Sequence, residues 1–334
     1  MRPITIKDLA RELNISVTTV SRALRNAPDI NPDTKKAVVE LAKSLNYEPN
    51  YIAQSLVKKQ TKIIGVIVPS IQSNYFSNVL SGMTDVANDH DYYLMICQSN
   101  ETASIELKNI KKLVTCHVDG LLISISKETR DIDEFIHISE REIPVVMFDR
   151  ILPDFPCSKV IVDEYEGAFK AVEHLIKKGC KRIAHVAGPK DLSVSNNRKN
   201  GYIDALKKHN FSIEESLIIH CNSFEDDALK TIRKLVKQEP RPDGIFFIND
   251  LSAITALKYL QKCGIKVPEE MKLVGFNNDP VSEVVEPSLS TVMQPGYEVG
   301  KLALAILIDE IQKKKTNYEV ITLRTKLVER NSSK

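Results

Sequence analysis

The stretch TIKDLARELNISVTTVSRALRNAPDINPDTKKAVVEL, residues 5–41, decides the fold of the N-terminal part of this chain. It contains three short amphipathic helical patterns, preceded by the capping residues Thr5, Ser16 and Asn31. Asn14, which tolerates a left-handed backbone, is predicted to end the first helix. The predicted inner faces are Ile6, Leu9, Ala10 and Leu13, then Val20, Ala23 and Leu24, then Ala37, Val38, Leu41 and Leu45. Two helices joined by a three-residue turn are typical of the helix-turn-helix motif.

The second helix of this motif is the one that enters the major groove of DNA. Val17 can contact a thymine methyl group, Thr18 can bond a base edge or a phosphate, and Arg22 can contact guanine with two hydrogen bonds. Residues 1–62 carry eleven Lys or Arg against six Asp or Glu, whereas the remainder carries thirty-five against thirty-eight. This basic segment favours phosphate contacts. The alternative is a small helical bundle with a polar outer face, which fits less well because the helix exposes short polar residues at its start.

The same stretch resembles the headpiece of the lac-repressor/gal-repressor family of bacterial transcriptional regulators. The resemblance rests on TIKDLA, VTTVSRAL, NYEPN and AQSL, and it continues to LVER near residue 330. It implies a hinge helix from Asn50 to about Val57 that orders on operator DNA, with Leu56 wedged into the minor groove and Ala53 letting two hinge helices approach. The residues predicted to contact DNA are Thr5, Ser16, Val17, Thr18, Thr19, Ser21, Arg22, Asn26, Asn31, Tyr47, Asn50, Ala53, Gln54 and Leu56.

Beyond residue 61, nine apolar β-rich runs between Lys62 and Phe276 alternate with helical patterns. This alternation predicts an α/β body of two doubly wound parallel sheets, with the second series starting at Val160–Val162. The resemblance adds that the two subdomains are periplasmic-binding-protein-like. The predicted domains are a helix-turn-helix headpiece at 1–48, a hinge at 49–60, a first subdomain at 61–160 plus about 291–320, and a second subdomain at 161–290 plus about 321–330.

Ligands of open parallel sheets bind beyond the carboxyl ends of the strands. Aromatic, amide, guanidinium and carboxylate side chains follow several of the predicted strands, and this mixture suits a small polar ligand such as a sugar. Asn and Asp at strand ends are also common turn formers and helix caps, and phenylalanines there can belong to the core. The effector contacts that the resemblance implies are Tyr75, Phe76, Ser124, Asp149, Arg198, Phe224, Asn249 and Asn277.

Three positions of the expected pocket depart from the family pattern. Asn277 stands where sugar-binding members usually carry Asp, and Leu192 and Val194 replace residues that are polar in some members. An amide can donate as well as accept, so hydroxyl recognition survives at residue 277. The identity of the effector, and whether it acts as inducer or corepressor, stays open.

No motif of an enzyme is found in the sequence. GxxxxGK[ST], HExxH and GxSxG are absent, and the seven histidines are scattered, so we expect no catalytic residue, no metal and no cofactor. The six cysteines form no CxxC pair, and the start of the chain has no signal-like apolar segment, which predicts a cytoplasmic protein. No apolar run reaches the roughly 18 residues of a membrane span.

The sequence therefore favours a repressor controlled by a small effector, acting as a homodimer on a pseudo-palindromic operator. No leucine-heptad helix ends the chain, which favours a dimer over a tetramer. A solute-binding protein with the same body is the alternative, disfavoured by the headpiece and the missing signal segment. A third possibility, an enzyme of the ribokinase or aldolase type on an α/β scaffold, is disfavoured by the absent motifs.

Overall fold

The computed structural model describes residues 4–47, 60–130, 132, 135, 143–221, 226–313 and 317–334. The chain divides into two compact units, Met1–Lys62 and Ile63–Lys334. No helix in the described ranges is long and apolar enough to cross a membrane. The predicted hinge residues Asn50, Ala53, Gln54 and Leu56 lie outside the described residues.

The first unit is a three-helix domain of α1 (Ile6–Glu12), α2 (Val17–Leu24) and α3 (Pro32–Ser44). The predicted caps are confirmed. Thr5 N donates to Asp8 Oδ2 at 3.0 Å, Ser16 Oγ accepts from Thr19 N at 3.0 Å, and Asn31 Oδ1 accepts from Asp33 N at 2.8 Å. Asn14 follows α1 with φ of 53°, the left-handed conformation expected of it. Local capping chemistry therefore sets the start of all three helices.

The small core of this unit is formed by Leu9, Ala10, Val20, Ala23, Val38 and Ala42. The prediction for the inner face of α3 was wrong at two positions. Ala37 is exposed and Leu45 is 38% exposed, whereas Ala42 is buried. The buried stripe follows Val38 and Ala42, four residues apart on one face. Ala37 lies about 100° around the helix from Val38, and Leu45 follows the last helical residue.

The second unit contains two six-stranded sheets. The strands are β1 Ile63–Val68, β2 Tyr93–Gln98, β3 Gly120–Ile123, β4 Val145–Phe148, β5 Ser158–Val162, β6 Ile183–Ala187, β7 Ile218–His220, β8 Gly244–Phe247, β9 Lys272–Asn277, β10 Ser290–Met293, β11 Val320–Leu323 and β12 Lys326–Val328. The first sheet has the order β11-β5-β4-β3-β1-β2, and all its pairs are parallel. The second has the order β12-β10-β9-β8-β6-β7, parallel except for the β10–β12 pair.

Helices cover both faces of each sheet. The helices of this unit are α4 Asn74–Asp89, α5 Ala103–Thr115, α6 Glu164–Lys177, α7 Ser193–Lys208, α8 Asp226–Leu235, α9 Asp250–Lys262, α10 Val281–Val284 and α11 Gly296–Lys313, with short 3-10 turns at Glu215–Leu217 and Asn331–Ser333. Side chains of β1 alternate between the two layers: Ile64, Val66 and Val68 pack with α4 and α11, whereas Ile67 packs with α5. The doubly wound parallel architecture is thus confirmed.

The predicted boundaries between the subdomains differ from the structure at three strands. Val160–Val162 was assigned to the second series, but β5 pairs with β4 and β11 in the first sheet. The predicted return to the first subdomain at about 291 is early, since β10 pairs with β9. Residues from about 321 were assigned to the second subdomain, yet β11 lies in the first sheet. The sequence of a strand of four or five residues does not indicate which sheet the strand joins.

Two glycines bring α4 and α11 into close contact. A Cβ atom on Gly300 would lie 1.9 Å from the Val79 carbonyl oxygen, and one on Gly82 would lie 2.1 Å from the Tyr297 carbonyl oxygen. Both obstacles are backbone atoms in packed helices, which can move only if the helices separate.

We expect Gly300→Ala to lower the free energy of unfolding by about 3 kcal/mol, even though alanine is the better helix former. Urea denaturation of the full chain measures this loss. Glu298→Ala, at an exposed position of the same helix, is the control and should change stability by less than about 0.5 kcal/mol. A Gly300→Ala protein as stable as the control would show that the helices can separate without loss.

Candidate functional site

The outer face of α2 presents the residues predicted to read DNA. Val17 is 39% exposed, and Thr18 and Arg22 are exposed as well. Thr19 and Ser21 are half-buried. The α2 helix therefore packs Val20 and Ala23 inward and leaves a mixed polar and apolar edge available at its N-terminal half, as a recognition helix requires.

Several predicted DNA contacts also have structural partners within the domain. Ser16 and Asn31 accept backbone hydrogen bonds as N-caps, the Thr19 hydroxyl lies 2.8 Å from Ser16 Oγ, and the Thr5 hydroxyl donates to Asp8 Oδ2 at 2.7 Å. Caps mark helix N-termini, where backbone N–H groups favour anions such as phosphate. Asn26, with φ of 59°, follows the end of α2.

The Arg22 guanidinium is ion-paired with Asp29, in the loop between α2 and α3. Both side chains are about half exposed, at 52% and 53%. The hydrogen bond from Arg22 lowers the pKa of Asp29. A guanine edge offers the same kind of acceptor pair that a carboxylate does. Asp29 therefore binds the Arg22 guanidinium in the way that a guanine of DNA would bind it.

The second unit holds a cavity of about 680 Å³ whose walls come from both sheets. It lies at the carboxyl ends of the parallel strands, where open α/β sheets bind ligands. Leu192 and Val194 supply an apolar part of the wall. Six of the eight predicted effector residues line it: Tyr75, Phe76, Asp149, Arg198, Asn249 and Asn277.

The other two predicted effector residues do not line this cavity. Ser124 is fully buried behind it, where its Oγ lies 3.4 Å from Asp149 Oδ2. It can therefore orient the carboxylate but does not face a ligand. Phe224 lies outside the described residues.

Other polar residues that were not among the predicted effector contacts also line the cavity, among them Gln72, Asn74, Glu101, Asp279 and Gln294. Each follows a strand, after β1, β2, β9 or β10. The rule that ligands bind beyond strand ends identifies them once it is applied to every strand, including the unpredicted β10. The sequence therefore contains the information that points to these residues. Gln294 could not be found in this way, because β10, the strand that it follows, was not predicted.

Asp149 is held in the left-handed conformation, with φ of 61°, directly after β4. Burial raises the pKa of its carboxyl group to about 6, although Arg150 acts in the opposite direction. Burial also raises the pKa of Tyr75 well above its usual range, and the nearby Asp149 and Glu164 carboxylates raise it further. The Tyr75 hydroxyl has no hydrogen bond of normal geometry with any residue that the structure describes.

Arg198 projects from α7 into a buried network. Its Nε donates to Glu164 and its Nη1 donates to the Ile248 carbonyl oxygen. Its guanidinium carbon lies 3.6 Å from the centroid of the Phe276 ring. Gln294 Nε2 donates to the other oxygen of Glu164 at 2.8 Å. The guanidinium plane is thus fixed on three sides, so its remaining edge can meet a ligand without reorganisation.

The loop after β9 forms the far wall of the cavity. Asp250 is buried and accepts hydrogen bonds from Asp279 N at 2.7 Å and from Thr291 Oγ1 at 2.5 Å. Burial raises the pKa of Asp250 to about 7. Asn249 caps α9 by accepting from Ser252 N at 2.9 Å, and Asn277 has φ of 112°. The two predicted amides are therefore held by local structure at the cavity wall.

Comparisons with known proteins fit this arrangement. The lacI family of bacterial regulatory proteins matches residues 5–50, and a periplasmic binding protein-like domain matches residues 172–333. The ribose operon repressor of Halalkalibacterium halodurans is 32% identical over 333 residues, which cover 99% of this chain and 97% of that protein. The chain belongs to the lacI family. Its predicted family and fold class are confirmed.

Two solved structures resemble this lacI-family protein along nearly its whole length. The transcriptional regulator CelR in complex with cellobiose is 27% identical, with a TM-score of 0.75, over 99% of this chain and 100% of that one. The lac repressor dimer bound to operator and the anti-inducer ONPF is 22% identical, with a TM-score of 0.88, over 99% of both chains. At that identity the second comparison shows the fold alone.

In the described part of this lacI-family protein, no group of three or more His, Cys, Asp or Glu residues could hold a metal ion. Burial raises the pKa of the thiols of Cys157 and Cys180, to about 11 and about 12, so these side chains are held as neutral thiols. They pack in the apolar cores of the two subdomains.

Proposed function

We propose that this lacI-family chain is an operator-binding transcriptional repressor, controlled by a small carbohydrate held between its two subdomains. The observation that carries this proposal is the cavity, because its walls come from both sheets. A ligand that contacts both walls stabilises one angle between the subdomains, and that angle can favour or disfavour operator binding. CelR, which was solved with cellobiose, and the ribose operon repressor support a carbohydrate as the ligand class.

The DNA contacts follow from α2. We assign base contacts to Val17, Thr18 and Arg22, and phosphate contacts to the capped helix N-termini. A homodimer would place two such helices in successive major grooves of a pseudo-palindromic operator, as two-fold symmetry requires. The lac repressor was solved as a dimer on its operator. The chain would act where operator DNA lies, in the cytoplasm.

A solute-binding protein with the same body is not favoured, because a capped helix-turn-helix serves no purpose in transport. An enzyme is not favoured either. The two arginines of the cavity are held by Glu101, Glu164 and the Ile248 carbonyl oxygen, an arrangement that can hold a ligand, and the relatives are regulators. We therefore propose a binding role with no cofactor.

The Arg22 assignment is tested on operators selected from random duplexes by the full-length protein. We expect Arg22→Ala to weaken binding to the selected duplex about 5- to 150-fold and to relax preference at one base position in each half-site. The measurement is the dissociation constant for the selected duplex and for its single-base variants at one fixed salt concentration.

Arg11→Ala is the matched control, because Arg11 is an exposed arginine on α1 that pairs with Asp8. Any loss it causes should be uniform across sequences, as expected for a phosphate contact. An Arg22→Ala protein with unchanged base preference would contradict the assignment. Failure of the wild type to enrich any duplex would contradict the proposed repressor function.

A further inference from the structure

The cationic side chains of the cavity are already neutralised by carboxylates. Among its described lining residues, the cations are Arg150 and Arg198. Arg150 Nη1 donates to both carboxylate oxygens of Glu101, at 2.9 and 2.7 Å, and Arg198 Nε donates to Glu164. Both guanidiniums are largely buried. A phosphate entering this cavity would have to compete with a fixed carboxylate for each of them.

Two further carboxylates, Asp149 and Asp279, line the same cavity, and no further cation accompanies them among its described lining residues. Arg150 Nε lies 3.8 Å from Asp149, but the Glu101 carboxylate shares that guanidinium. Burial raises the pKa of Asp149 to about 6 and also raises the pKa of Asp279. The cavity and the residues directly behind it thus combine four carboxyl groups with two guanidiniums, so neither guanidinium is left without a carboxylate for an anion to pair with.

The wall also offers hydrogen-bonding atoms that the described protein does not use. Asp279 is 8% exposed, and its Oδ1 has no hydrogen bond of normal geometry among the described residues, although the Asn74 side chain lies close enough to lower the pKa of the carboxyl group. The Tyr75 side chain is likewise buried, at 6% exposed, and its hydroxyl has no hydrogen bond of normal geometry with the described residues. A buried carboxylate oxygen accepts only, so its missing partner must be a donor. A hydroxyl or an ammonium group of a ligand supplies that donor, whereas a phosphate or a carboxylate does not.

Building on the proposed effector function, we infer that the cavity takes a carbohydrate without negative charge, which donates a hydroxyl or amino hydrogen to Asp279. Phosphorylated and acidic sugars are excluded by the carboxylates that surround both arginines. Asp279 is then the residue that selects the charge of the effector, and Glu101 and Glu164 are the residues that keep the arginines neutralised.

The test compares matched sugars at one ionic strength, using isothermal titration calorimetry on the full-length protein. The neutral probes are ribose, glucose and cellobiose, and glucosamine is the amino probe. The anionic probes are ribose 5-phosphate, glucose 6-phosphate and glucuronate. We expect at least one neutral or amino sugar to bind, and each of the three anionic sugars to bind at least about tenfold more weakly than that sugar.

Three variants test which residues cause the preference for uncharged sugars. Asp279→Asn should weaken the bound neutral or amino sugar about tenfold, because a charge-assisted hydrogen bond is lost. Glu283→Gln is the charge-matched control at an exposed position on α10, and it should leave the affinity unchanged. Glu101→Gln leaves Arg150 without its neutralising carboxylate, so the affinity for the phosphorylated counterpart should rise about tenfold.

A phosphorylated sugar that binds the wild type better than its neutral counterpart would overturn this inference while leaving the proposed effector function intact. An Asp279→Asn protein with wild-type affinity would overturn the role of Asp279. Binding of none of the seven probes would count against both this inference and a carbohydrate-controlled repressor. Enrichment of an operator duplex would still support the DNA-binding part of the proposal.

Discussion

Arg198→Met is expected to lower the free energy of unfolding of the second unit by about 3–5 kcal/mol, because it leaves the buried Glu164 carboxylate without its counter-ion. The ion pair is almost inaccessible, with the two side chains 8% and 3% exposed. Methionine preserves much of the volume over the Phe276 ring, so a cavity contributes little. The hydrogen bond from Gln294 to Glu164 remains but carries no full charge. Urea denaturation of the full chain, followed by circular dichroism, measures the loss.

The double variant Arg198→Met with Glu164→Gln distinguishes the effect of an unpaired buried charge from the effect of altered packing. Removing both charges should restore most of the stability, since replacing a buried ion pair by neutral groups is often tolerated. Arg130→Met is the surface control, because its ion pair with Asp191 is 47% and 67% exposed and should contribute under about 1 kcal/mol. A single variant that loses as little as this control would show that the buried pair contributes no more to stability than a surface pair.

Glu106 is expected to make the stability of the second unit fall as pH rises from about 5 to about 8. The carboxylate accepts from Ser126 N at 2.6 Å and from Thr129 Oγ1 at 2.5 Å, yet burial raises its pKa from 4.5 to about 7. The nearby Glu101 raises it further, whereas Arg150 acts in the opposite direction. Between those two pKa values the folded state binds more protons than the unfolded state, so each pH unit removes stability. The loss from this one group is about 3 kcal/mol.

Other groups titrate in the same range, so a difference between variants is the useful measurement. Asp250, with its pKa raised to about 7, acts in the same direction as Glu106. His185 acts in the opposite direction, because burial lowers its pKa to about 3 and its unfolded form takes up a proton below about 6.5. Subtracting the stability of wild type from that of Glu106→Gln at each pH cancels both.

Glu106→Gln imitates the protonated side chain, with one oxygen to accept from Ser126 N and one amide to donate to Thr129. We expect its stability relative to wild type to improve by about 3 kcal/mol between pH 5 and pH 8. Glu269→Gln, at an exposed position, is the control and should show no such trend. A flat difference for Glu106→Gln would mean that the carboxyl group is solvated in the folded protein.

Features that depend on neighbouring residues could be predicted from the sequence. The caps at Thr5, Ser16 and Asn31 act over two or three residues, so their chemistry is visible in the sequence itself. The positions of β1 to β9 could be predicted too, because most of these strands have continuous apolar runs. The sheet that Val320–Leu323 joins could not be predicted, because its partner β5 lies about 160 residues earlier in the chain.

The candidate site was predicted as a set of strand ends rather than as a network. Arg198, predicted as an effector contact, lines the cavity. Its ion-pair partner Glu164 is the first residue of a helix and looks in the sequence like an ordinary N-terminal acid. Asp279 similarly looks like a turn former after β9. Whether an acid at a helix or strand end faces solvent, a partner or a cavity depends on the tertiary packing, and no local pattern contains that information.

The first sheet is completed by α11 and β11, which are synthesised near the end of the chain. The helix supplies Val299, Ala303, Leu304 and Leu307 to the core of the first sheet, and β11 closes an edge of that sheet. A ribosome releases these residues after most of the second subdomain has emerged. Synthesis at about 5–20 residues per second thus leaves one apolar face of the first sheet covered only in part, by α4, for several seconds or longer. During that interval the nascent chain exposes apolar surface of the kind that chaperones bind. A truncation near residue 295 would remove α11 and β11 and so destabilise the subdomain that is made first.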